Sequence, residues 1–491
     1  MTDALVLLIV SPIVFGILPV AIGLFRSGSG RFTASAMALL QVALSLVVLG
    51  KVLESGRFSY EVAGYVPPFG IELVGDGVSA PLLVLVAGTT LAIVVYSLHA
   101  GPRSDTFYGE LAFLTAGLSG LIATGDVFNL YVFLEITGLA TYALVASDPS
   151  PEAAYASLKY LVVGTIGASF YLLGVGYLLV ATGTLNMADL AVEIPAVGYT
   201  SPLILAGFAL IVVGLSVKIA LFPLHTWQPD AYAESPHAVS AHIAALVSTA
   251  AAYALFRILY GVFTVNFFEA VPIARTGLLL VAGTSVIAGA VLAVMQRDLK
   301  RMLAYSSVSH FGLVVVGLAI GNHTAVTGAL VHLVGHGVMK AGLFVAVGVF
   351  AAGAGVRTID DLEGIASRLP ITSAAFAVLA FSMVGVPPAV GFPGKWNILM
   401  GAIYADQWLL AAIVVASSLL TLGYFGRLLE RMYFTGVEHT EPVSTDGGKR
   451  QGVEVTSRAI VVLAALLALA LGIWAADLIS IFEPVLEVYF A

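Results

Sequence analysis

Two lysines of this chain lie in apolar segments, where an ammonium group is costly. Lys218 lies inside the apolar run 204–222, directly before a helix-breaking stretch that contains Pro223. Lys395 ends the segment 385–395, which Pro and Gly also interrupt. A charged side chain at mid-bilayer depth costs at least about 2.5 kcal/mol, so water or a counter-charge must surround it. Paired helices that Gly and Pro break in two halves of a membrane protein indicate an ion pathway between inverted repeats.

Glu135 is the carboxylate that we predict to partner Lys218. It lies deep inside an apolar span, far from either end. Contact between a buried carboxylate and a buried ammonium group changes the proton affinity of both. We therefore predict that the Glu135–Lys218 pair is a proton switch that works by making or breaking contact. The alternative is a structural ion pair that fixes helix packing.

Three further ionisable residues line one face of the apolar span 325–352. His332, His336 and Lys340 follow each other at intervals of four residues, which places them on one side of a helix. Histidine titrates near neutral pH, so this face is suited to proton hopping through water. A zinc site is the competing interpretation, but no acidic ligand lies beside the histidines and Lys340 would repel a cation. A packing role through hydrogen bonds to facing helices stays open.

More titratable side chains lie between Lys218 and Lys395. They are His225, His237, His242 and His310. A single buried histidine is more often a satisfied core residue than a relay, but their concentration in this region favours a path. Lys159, near the start of its span, is a further candidate, although its stem is long enough to carry the ammonium group to the membrane interface.

The elements that position these groups are predicted to be membrane helices. Of 491 residues, 59% are hydrophobic and only 10% are charged, against about 25% charged residues in soluble domains. Continuous apolar runs of membrane-spanning length predict about fourteen helices in one polytopic domain, residues 1–491. Two five-span blocks are predicted at about 109–264 and 276–434, each with its broken helix in fourth position. The predicted fold is all-α, with two inverted five-helix repeats.

Composition also limits the chemistry. The chain has no cysteine, which excludes disulfides, iron–sulfur ligation and thiolate-held zinc. No nucleotide-binding, zinc-protease or haem-attachment motif occurs in a suitable context. The net charge of −8 is spread over loops, which argues against a nucleic acid partner. We therefore predict no cofactor and no metal, and a chain that moves charge without energy-converting chemistry of its own.

Basic residues predict how the chain is oriented in the membrane. Most of the 21 lysines and arginines fall in odd-numbered loops, which are therefore expected to be cytoplasmic. An even number of spans then places both termini outside. The longest polar stretch, 436–457, is predicted to be a cytoplasmic loop, and the first helix lacks a cleavage signal and is expected to be retained.

Two segments of the chain resemble a known family. The stretch VKIALFPLHTWQPDA at 217–231 and DLKRMLAYSS at 298–307 look like the proton-conducting antiporter-like family shared by multisubunit sodium/proton antiporters, respiratory complex I and membrane-bound hydrogenases. The stretches 67–76 and 183–190 are more similar to the D subunit of Mrp-type antiporters. The resemblance implies fourteen helices with two inverted repeats.

The resemblance also implies roles for individual residues. Glu135 matches the family's glutamate on the fifth helix, Lys218 its lysine on the broken seventh and Lys395 its lysine on the broken twelfth. The residues His332, His336 and Lys340 fall on the eleventh-helix motif. The central lysine that many relatives carry on the eighth helix is Thr249 here. Proton transfer through the centre must then use water, Thr249 or His242.

These observations predict a proton-translocating subunit of a multisubunit Na⁺/H⁺ antiporter in the cell membrane. A proton is expected to reach Lys218 under the control of Glu135, cross by histidines and water, and leave through Lys395. The predicted partners are other membrane subunits, H⁺, Na⁺ and the lipid bilayer. The alternatives are a proton-pumping subunit of a redox-driven complex, a self-sufficient transporter and a non-conducting structural subunit.

Overall fold

The computed structural model describes residues 3–23, 28–435 and 450–490, and most of these residues are helical. Within the described ranges, thirteen helices are long and apolar enough to cross a membrane. The pair of shorter helices at Pro370–Val384 and Gly391–Tyr404 accounts for the remaining predicted span. Most of the predicted loop 436–457 lies outside the described residues, and a helix begins at Arg450.

The described part of the first half of the chain contains ten helices. They are α1 (Asp3–Gly23), α2 (Gly30–Ser55), α3 (Ser79–Ala100), α4 (Asp105–Ala123), α5 (Val127–Val145), α6 (Pro151–Thr182), α7 (Met187–Val197), α8 (Pro202–Ile219), α9 (Gln228–Glu234) and α10 (His237–Phe256). Side-chain caps fix several of the starts: Ser104, Asp126 and Ser150 each accept a hydrogen bond from the backbone N–H three residues later. The helix α10 continues into a π-helical turn, Arg257–Val262.

In the second half, ten more helices lie within the described ranges. They are α11 (Thr264–Ala270), α12 (Pro272–Met295), α13 (Leu299–Ile320), α14 (His323–Ala354), α15 (Ile365–Arg368), α16 (Pro370–Val384), α17 (Gly391–Tyr404), α18 (Trp408–Tyr433), α19 (Arg450–Ile473) and α20 (Ala475–Phe490). The helices α10 and α13 are almost wholly buried and pack with α14 at the centre of the bundle. A helix that is apolar all round must be covered by protein or lipid, and here other helices cover the two that carry His242 and His310.

Two helices are broken where Pro and Gly interrupt the apolar pattern. The helix α8 ends at Ile219, and Ala220 adopts a left-handed conformation with φ 66° before α9 begins. The helix α16 ends at Val384, and Gly385 has φ 96° before α17 begins. Each broken helix is the fourth in its predicted five-helix block. The predicted architecture is thus confirmed, while the division at 109–264 and 276–434 stays a prediction.

A small β-hairpin, which was not predicted from the sequence, joins α2 to α3. Its strands, β1 (Phe58–Glu61) and β2 (Glu72–Gly75), pair antiparallel. Directly after β2, Asp76 accepts a hydrogen bond of 2.5 Å from the buried guanidinium of Arg257. The same guanidinium donates to the hydroxyl of Tyr489 on α20 at 3.0 Å. These bonds attach the hairpin and the last helix to the end of α10.

Candidate functional site

Lys218 lies in the last turn of α8 and faces Glu135 on α5. The Nζ atom of Lys218 is 3.4 Å from Oε1 of Glu135. The lysine side chain is 6% exposed, whereas the glutamate side chain is 24% exposed. The helix α8 ends one residue after Lys218, because Ala220 leaves the right-handed helical region. The structure therefore brings the two predicted residues together, with the glutamate on the outer side of the contact.

Tyr142 is a second neighbour of Lys218, and it was not predicted from the sequence. Its hydroxyl oxygen lies 3.4 Å from Lys218 Nζ, and the tyrosine is 5% exposed. It follows Glu135 by seven residues on α5, so the two side chains project from one face of that helix. This spacing is the signal in the sequence that could have identified it.

A stack of aromatic side chains packs against Tyr142. The rings of Tyr142 and Tyr160 meet edge to face with centroids 4.6 Å apart. Tyr160 stacks on Trp227 at 3.9 Å. The indole Nε1 of Trp227 donates to the carbonyl oxygen of Val217 at 2.9 Å. The stack thus connects α5 to both sides of the break between α8 and α9.

The polar connection from Lys218 towards the centre runs through its backbone. Its carbonyl oxygen accepts a hydrogen bond of 3.4 Å from Ser248 on α10. The side-chain amide of Gln228 donates to Ser248 Oγ at 3.1 Å. Gln228 is completely buried, and its amide oxygen has no hydrogen-bond partner among the described residues. Gln228 and Ser248 are polar central residues that were not selected from the sequence.

Thr249 and His242, the predicted substitutes for a central lysine, are both buried on α10. The hydroxyl of Thr249 donates to the carbonyl oxygen of Ala245 in its own helix at 2.7 Å. The ring atom Nε2 of His242 lies 3.1 Å from Oγ1 of Thr90 on α3. Thr249 therefore satisfies its donor locally, whereas His242 connects α10 to α3.

Three histidines form a buried cluster between α13 and α14. Nδ1 of His310 lies 2.9 Å from Nε2 of His332, and the two rings are stacked. The ring of His336 lies 6.1 Å from that of His310, centroid to centroid. Neither ring nitrogen of His336 has a hydrogen-bond partner in the described part of the chain. Buried polar atoms of this kind are usually satisfied by ordered water.

Lys340 continues this face of α14 and is completely buried. Its Nζ atom donates to the carbonyl oxygen of Leu303 at 2.7 Å and to the hydroxyl of Ser306. Both acceptors belong to α13. No acidic side chain within the described residues forms an ion pair with Lys340, so uncharged oxygens alone solvate its ammonium group.

Lys395 lies in the first turns of α17 and reaches back to the end of α16. Its Nζ atom donates to the carbonyl oxygen of Val384 at 3.1 Å and to Ser418 Oγ on α18 at 3.4 Å. Val384 is the last residue of α16, so its carbonyl is among those that no helical N–H satisfies. The negative end of a helix dipole favours a cation at this position. A helix end thus stabilises Lys395, whereas a carboxylate stabilises Lys218.

The comparisons with known proteins place the chain in one family. Residues 124–421 match the family described as NADH:quinone oxidoreductase/Mrp antiporter, TM. The chain belongs to this family. The matched region contains Glu135, Lys218, the histidine cluster and Lys395, so it includes all the charged residues and histidines of the site described so far.

Relatives of this chain include subunits of two kinds of complex. This chain is 46% identical to the N subunit of the NADH-quinone oxidoreductase of Desulforudis audaxviator over 419 residues. The aligned part covers 83% of this chain and 81% of the relative. The chain is 30% identical to the D subunit of the Na(+)/H(+) antiporter of Bacillus subtilis over 395 residues, 80% of this chain and 79% of the relative. The relatives therefore show an antiporter-like membrane subunit without choosing between the two kinds.

A solved structure supports the same fold over the full length. The chain aligns with one from the membrane-bound sulfane sulfur reductase, an archaeal respiratory membrane complex, with a TM-score of 0.91 and 30% identity. The alignment covers 100% of this chain and 98% of the other. The antiporter-family chain is thus a multi-pass membrane protein whose relatives work within complexes of several subunits.

Of the remaining three predicted residues, His237 is the first residue of α10, whereas His225 and Lys159 lie around the break after α8. The ring of His225 is between Phe222 and Tyr305, at centroid distances of 5.2 and 5.8 Å. Lys159 does not end in solvent: its Nζ atom donates to Oδ2 of Asp230 at 2.7 Å. His225 therefore belongs to the break itself, and Lys159 attaches α6 to α9.

Asp230 is the centre of this second charged cluster. Arg301 donates to its other carboxylate oxygen at 2.7 Å and to Glu234 at 2.9 Å. Burial would raise the pKa of Asp230, but the hydrogen bonds and charges of Lys159 and Arg301 outweigh burial and hold it below its usual range. The cluster fixes the short helix α9 between α6 and α13. In the described ranges, no three His, Asp or Glu side chains are arranged so that they could hold a metal ion, and this includes the three histidines between α13 and α14.

Proposed function

We propose that this chain moves protons across the membrane as one subunit of a larger complex. The observation that carries this proposal is the contact of Lys218 with Glu135 at a broken helix, 3.4 Å from Nζ to Oε1. An ammonium group at this depth is expensive unless it has a function or a counter-charge. The contact supplies a counter-charge that can be withdrawn, because Glu135 is the more exposed of the pair.

The path begins at Lys218. Contact with Glu135 favours the protonated lysine, and loss of that contact releases the proton towards the centre. Gln228 and Ser248 are hydrogen-bonded to each other beside the lysine and provide polar atoms for water in this direction. His242 on α10 lies in the same central layer of helices as the histidine cluster.

The histidine cluster continues the path. His336 has two unpartnered nitrogens among the described residues and can bind water on either side of its ring. His310 and His332 share one hydrogen bond, through which a proton can pass by exchange of tautomers. Lys395 is the last group, because Gly394 beside it packs directly against His332, with a hypothetical Cβ 2.8 Å from that of the histidine.

The first candidate for the complex is a multisubunit Na⁺/H⁺ antiporter in the cell membrane, with both termini of this chain outside. The identity with the D subunit of such an antiporter supports it, together with the D-like segments 67–76 and 183–190. In such a complex, sodium movement on one route drives or is driven by proton movement through Lys218. Roles for the residues in the path are the same whichever subunit binds sodium.

The second candidate is a redox-driven proton pump. The higher identity with a subunit of NADH-quinone oxidoreductase and the structural match to a respiratory complex favour it. The same path would then be driven by a partner subunit that carries out electron transfer. This chain has no cysteine with which to hold an iron–sulfur cluster of its own.

Proton movement in everted membrane vesicles tests the proposal. The chain is expressed alone and with its genomic neighbours, as wild type, Lys218→Ala and Lys51→Ala. Lys51 lies on α2 over the ring of Phe58, at 4.1 Å, and serves as the matched lysine control. We expect proton movement only with the neighbours, abolished by Lys218→Ala and retained in Lys51→Ala.

The stimulus that starts proton movement distinguishes the two candidate complexes. Proton movement on adding sodium supports the antiporter complex, whereas no sodium response but proton movement on adding a reductant supports the redox-driven complex. If Lys218→Ala assembles and transports as well as the wild type, the proposal of a proton path through this lysine is wrong.

A further inference from the structure

Lys218 has two hydrogen-bond acceptors at the same distance. Glu135 Oε1 and the hydroxyl oxygen of Tyr142 both lie 3.4 Å from its Nζ atom. The two acceptors differ in exposure, since the Glu135 side chain is 24% exposed and Tyr142 is 5% exposed. The glutamate can therefore interact with a group outside this chain, whereas the tyrosine stays inside.

Two glycines leave the space that the Tyr142 hydroxyl occupies. A Cβ added to Gly164 on α6 would lie 2.1 Å from this oxygen. A Cβ added to Gly138 on α5 would lie 3.0 Å from it and 3.4 Å from Lys218 Nζ. Any larger residue at either place would displace the hydroxyl or crowd the ammonium group. The space beside Lys218 is thus shaped to fit a tyrosine hydroxyl.

The ring of Tyr142 is held on the same break as the lysine. Tyr160 packs against it edge to face and stacks on Trp227, which is hydrogen-bonded to the carbonyl of Val217. Val217 directly precedes Lys218. The distance between the hydroxyl and the ammonium group is therefore fixed by a chain of contacts that does not include Glu135.

We propose that Tyr142 is a positioning residue that holds the Lys218 ammonium group when Glu135 releases it. This inference rests on the proposed function, because it assigns a second position to the same lysine. Within the described part of the chain, Glu135 and Tyr142 are the groups that accept from Lys218 Nζ, so an ammonium group released by the glutamate would lack an acceptor there without the tyrosine. With Tyr142 present, Lys218 alternates between a carboxylate and a neutral hydroxyl, and the switch has two defined states.

The test compares Tyr142→Phe with Tyr160→Phe in the vesicle assay with the full complex. Tyr142→Phe removes only the hydroxyl beside Lys218, and Tyr160→Phe removes a buried hydroxyl from the same aromatic stack. Loss of one hydrogen bond to a charged group is expected to lower the rate of proton movement by a factor of about ten or more. We expect proton movement to fall about tenfold in Tyr142→Phe and to stay within about twofold of the wild type in Tyr160→Phe.

A double-mutant cycle separates positioning from packing. If Lys218 alternates between two acceptors, Glu135→Gln and Tyr142→Phe disable the same switch, and the double variant is no slower than the slower single variant. If Tyr142 only fills space, the two losses multiply. The amount of assembled complex, measured by affinity purification of a partner subunit, is expected to be unchanged in all four proteins.

The outcomes distinguish this inference from the proposed function. If Lys218→Ala abolishes transport but Tyr142→Phe and Tyr160→Phe transport equally well, the inference is wrong, and the proposed proton path through Lys218 is retained. Losses that multiply in the double variant also overturn it. Transport that is unaffected by Lys218→Ala overturns the proposed function itself.

Discussion

Nδ1 of His310 and Nε2 of His332 lie 2.9 Å apart, and the rings are nearly parallel at 12°. One nitrogen of such a pair must carry the proton while the other accepts it, so the two histidines share a single bridging proton. If that proton moves from His310 to His332, both rings reverse their tautomers only when Nε2 of His310 takes up a proton and Nδ1 of His332 gives one up. Under the proposed function, the pair can carry a proton between the helices α13 and α14, entering at the outer nitrogen of one ring and leaving at that of the other.

The first prediction concerns His332. Replacing it with Asn keeps a polar side chain but removes an imidazole that can accept a proton on one ring nitrogen and donate one from the other, so proton movement is expected to fall at least about tenfold. The measurement is proton movement in vesicles that hold equal amounts of complex. His323→Asn is the matched control on the same helix, because His323 lies at the start of α14 and pairs with Glu483 at 3.3 Å. Equal activity in both variants would contradict a relay through His332.

The second prediction contrasts Gln228 with Thr249. Gln228 bonds Ser248 beside Lys218, whereas the Thr249 hydroxyl is used within its own helix. We expect Gln228→Met to slow proton movement about tenfold, since it removes both the amide donor and an oxygen free to bind water. Thr249→Val keeps the shape and is expected to retain activity within about twofold.

The same assay decides between the two central routes. A large loss in Thr249→Val with normal activity in Gln228→Met would show that protons use the threonine instead. Thermal unfolding of both purified variants checks that neither loss comes from instability, because a buried polar group left without a partner also destabilises a fold.

The charged residues of the site can be recognised in the sequence, because ionisable groups in apolar spans are rare and costly. Lys218, Glu135 and Lys395 stand out for that reason alone. Gln228 does not, since uncharged polar residues are common in membrane helices and only contacts reveal which of them meet a lysine. Tyr142 gives only a weaker signal, its spacing of seven residues from Glu135. Asp230 was not predicted either, because it lies in a short segment between two spans and its partners Lys159 and Arg301 are distant in sequence.

The fold, like the site, was predicted from the sequence only in part. Continuous apolar runs and the Pro and Gly interruptions were sufficient to predict the spans and both broken helices. The hairpin was not predicted, because strands of four residues give too short a pattern to tell from a loop. The helix α20 was not predicted as a separate element, because its 16 residues are too few to indicate a membrane span, and its buried Phe482 and Leu486 are recognised only by their packing.

The third prediction concerns the room made for the Tyr142 hydroxyl. Gly164→Ala adds a methyl group 2.1 Å from that oxygen, so the hydroxyl must move away from Lys218. We expect proton movement to fall about tenfold, while helix stability is maintained because Ala favours a helix by about 1 kcal/mol over Gly. Gly176→Ala is the control on the same helix, since its added Cβ meets no atom within 4 Å. Similar activity in the two variants would show that the hydroxyl position is unimportant.

The fourth prediction concerns pH and the cluster around Asp230. Lys159 and Arg301 hold the pKa of this carboxyl group below its usual range, against the effect of burial. A group whose pKa is lower in the folded state stabilises that state above its unfolded pKa, about 3.9, and this contribution is lost as pH falls through the folded value. We therefore expect the unfolding temperature of the purified protein to drop below about pH 4.

Asp230→Asn tests this origin of the pH dependence. The variant cannot titrate, so it should unfold at a lower temperature than the wild type at pH 6, and the difference should shrink as pH falls below about 4. Glu487→Gln, at an exposed position on α20, is the control and should follow the wild type across the whole range. A constant difference between Asp230→Asn and the wild type from pH 6 to pH 3 would mean that the ionised carboxylate does not stabilise the α9 cluster.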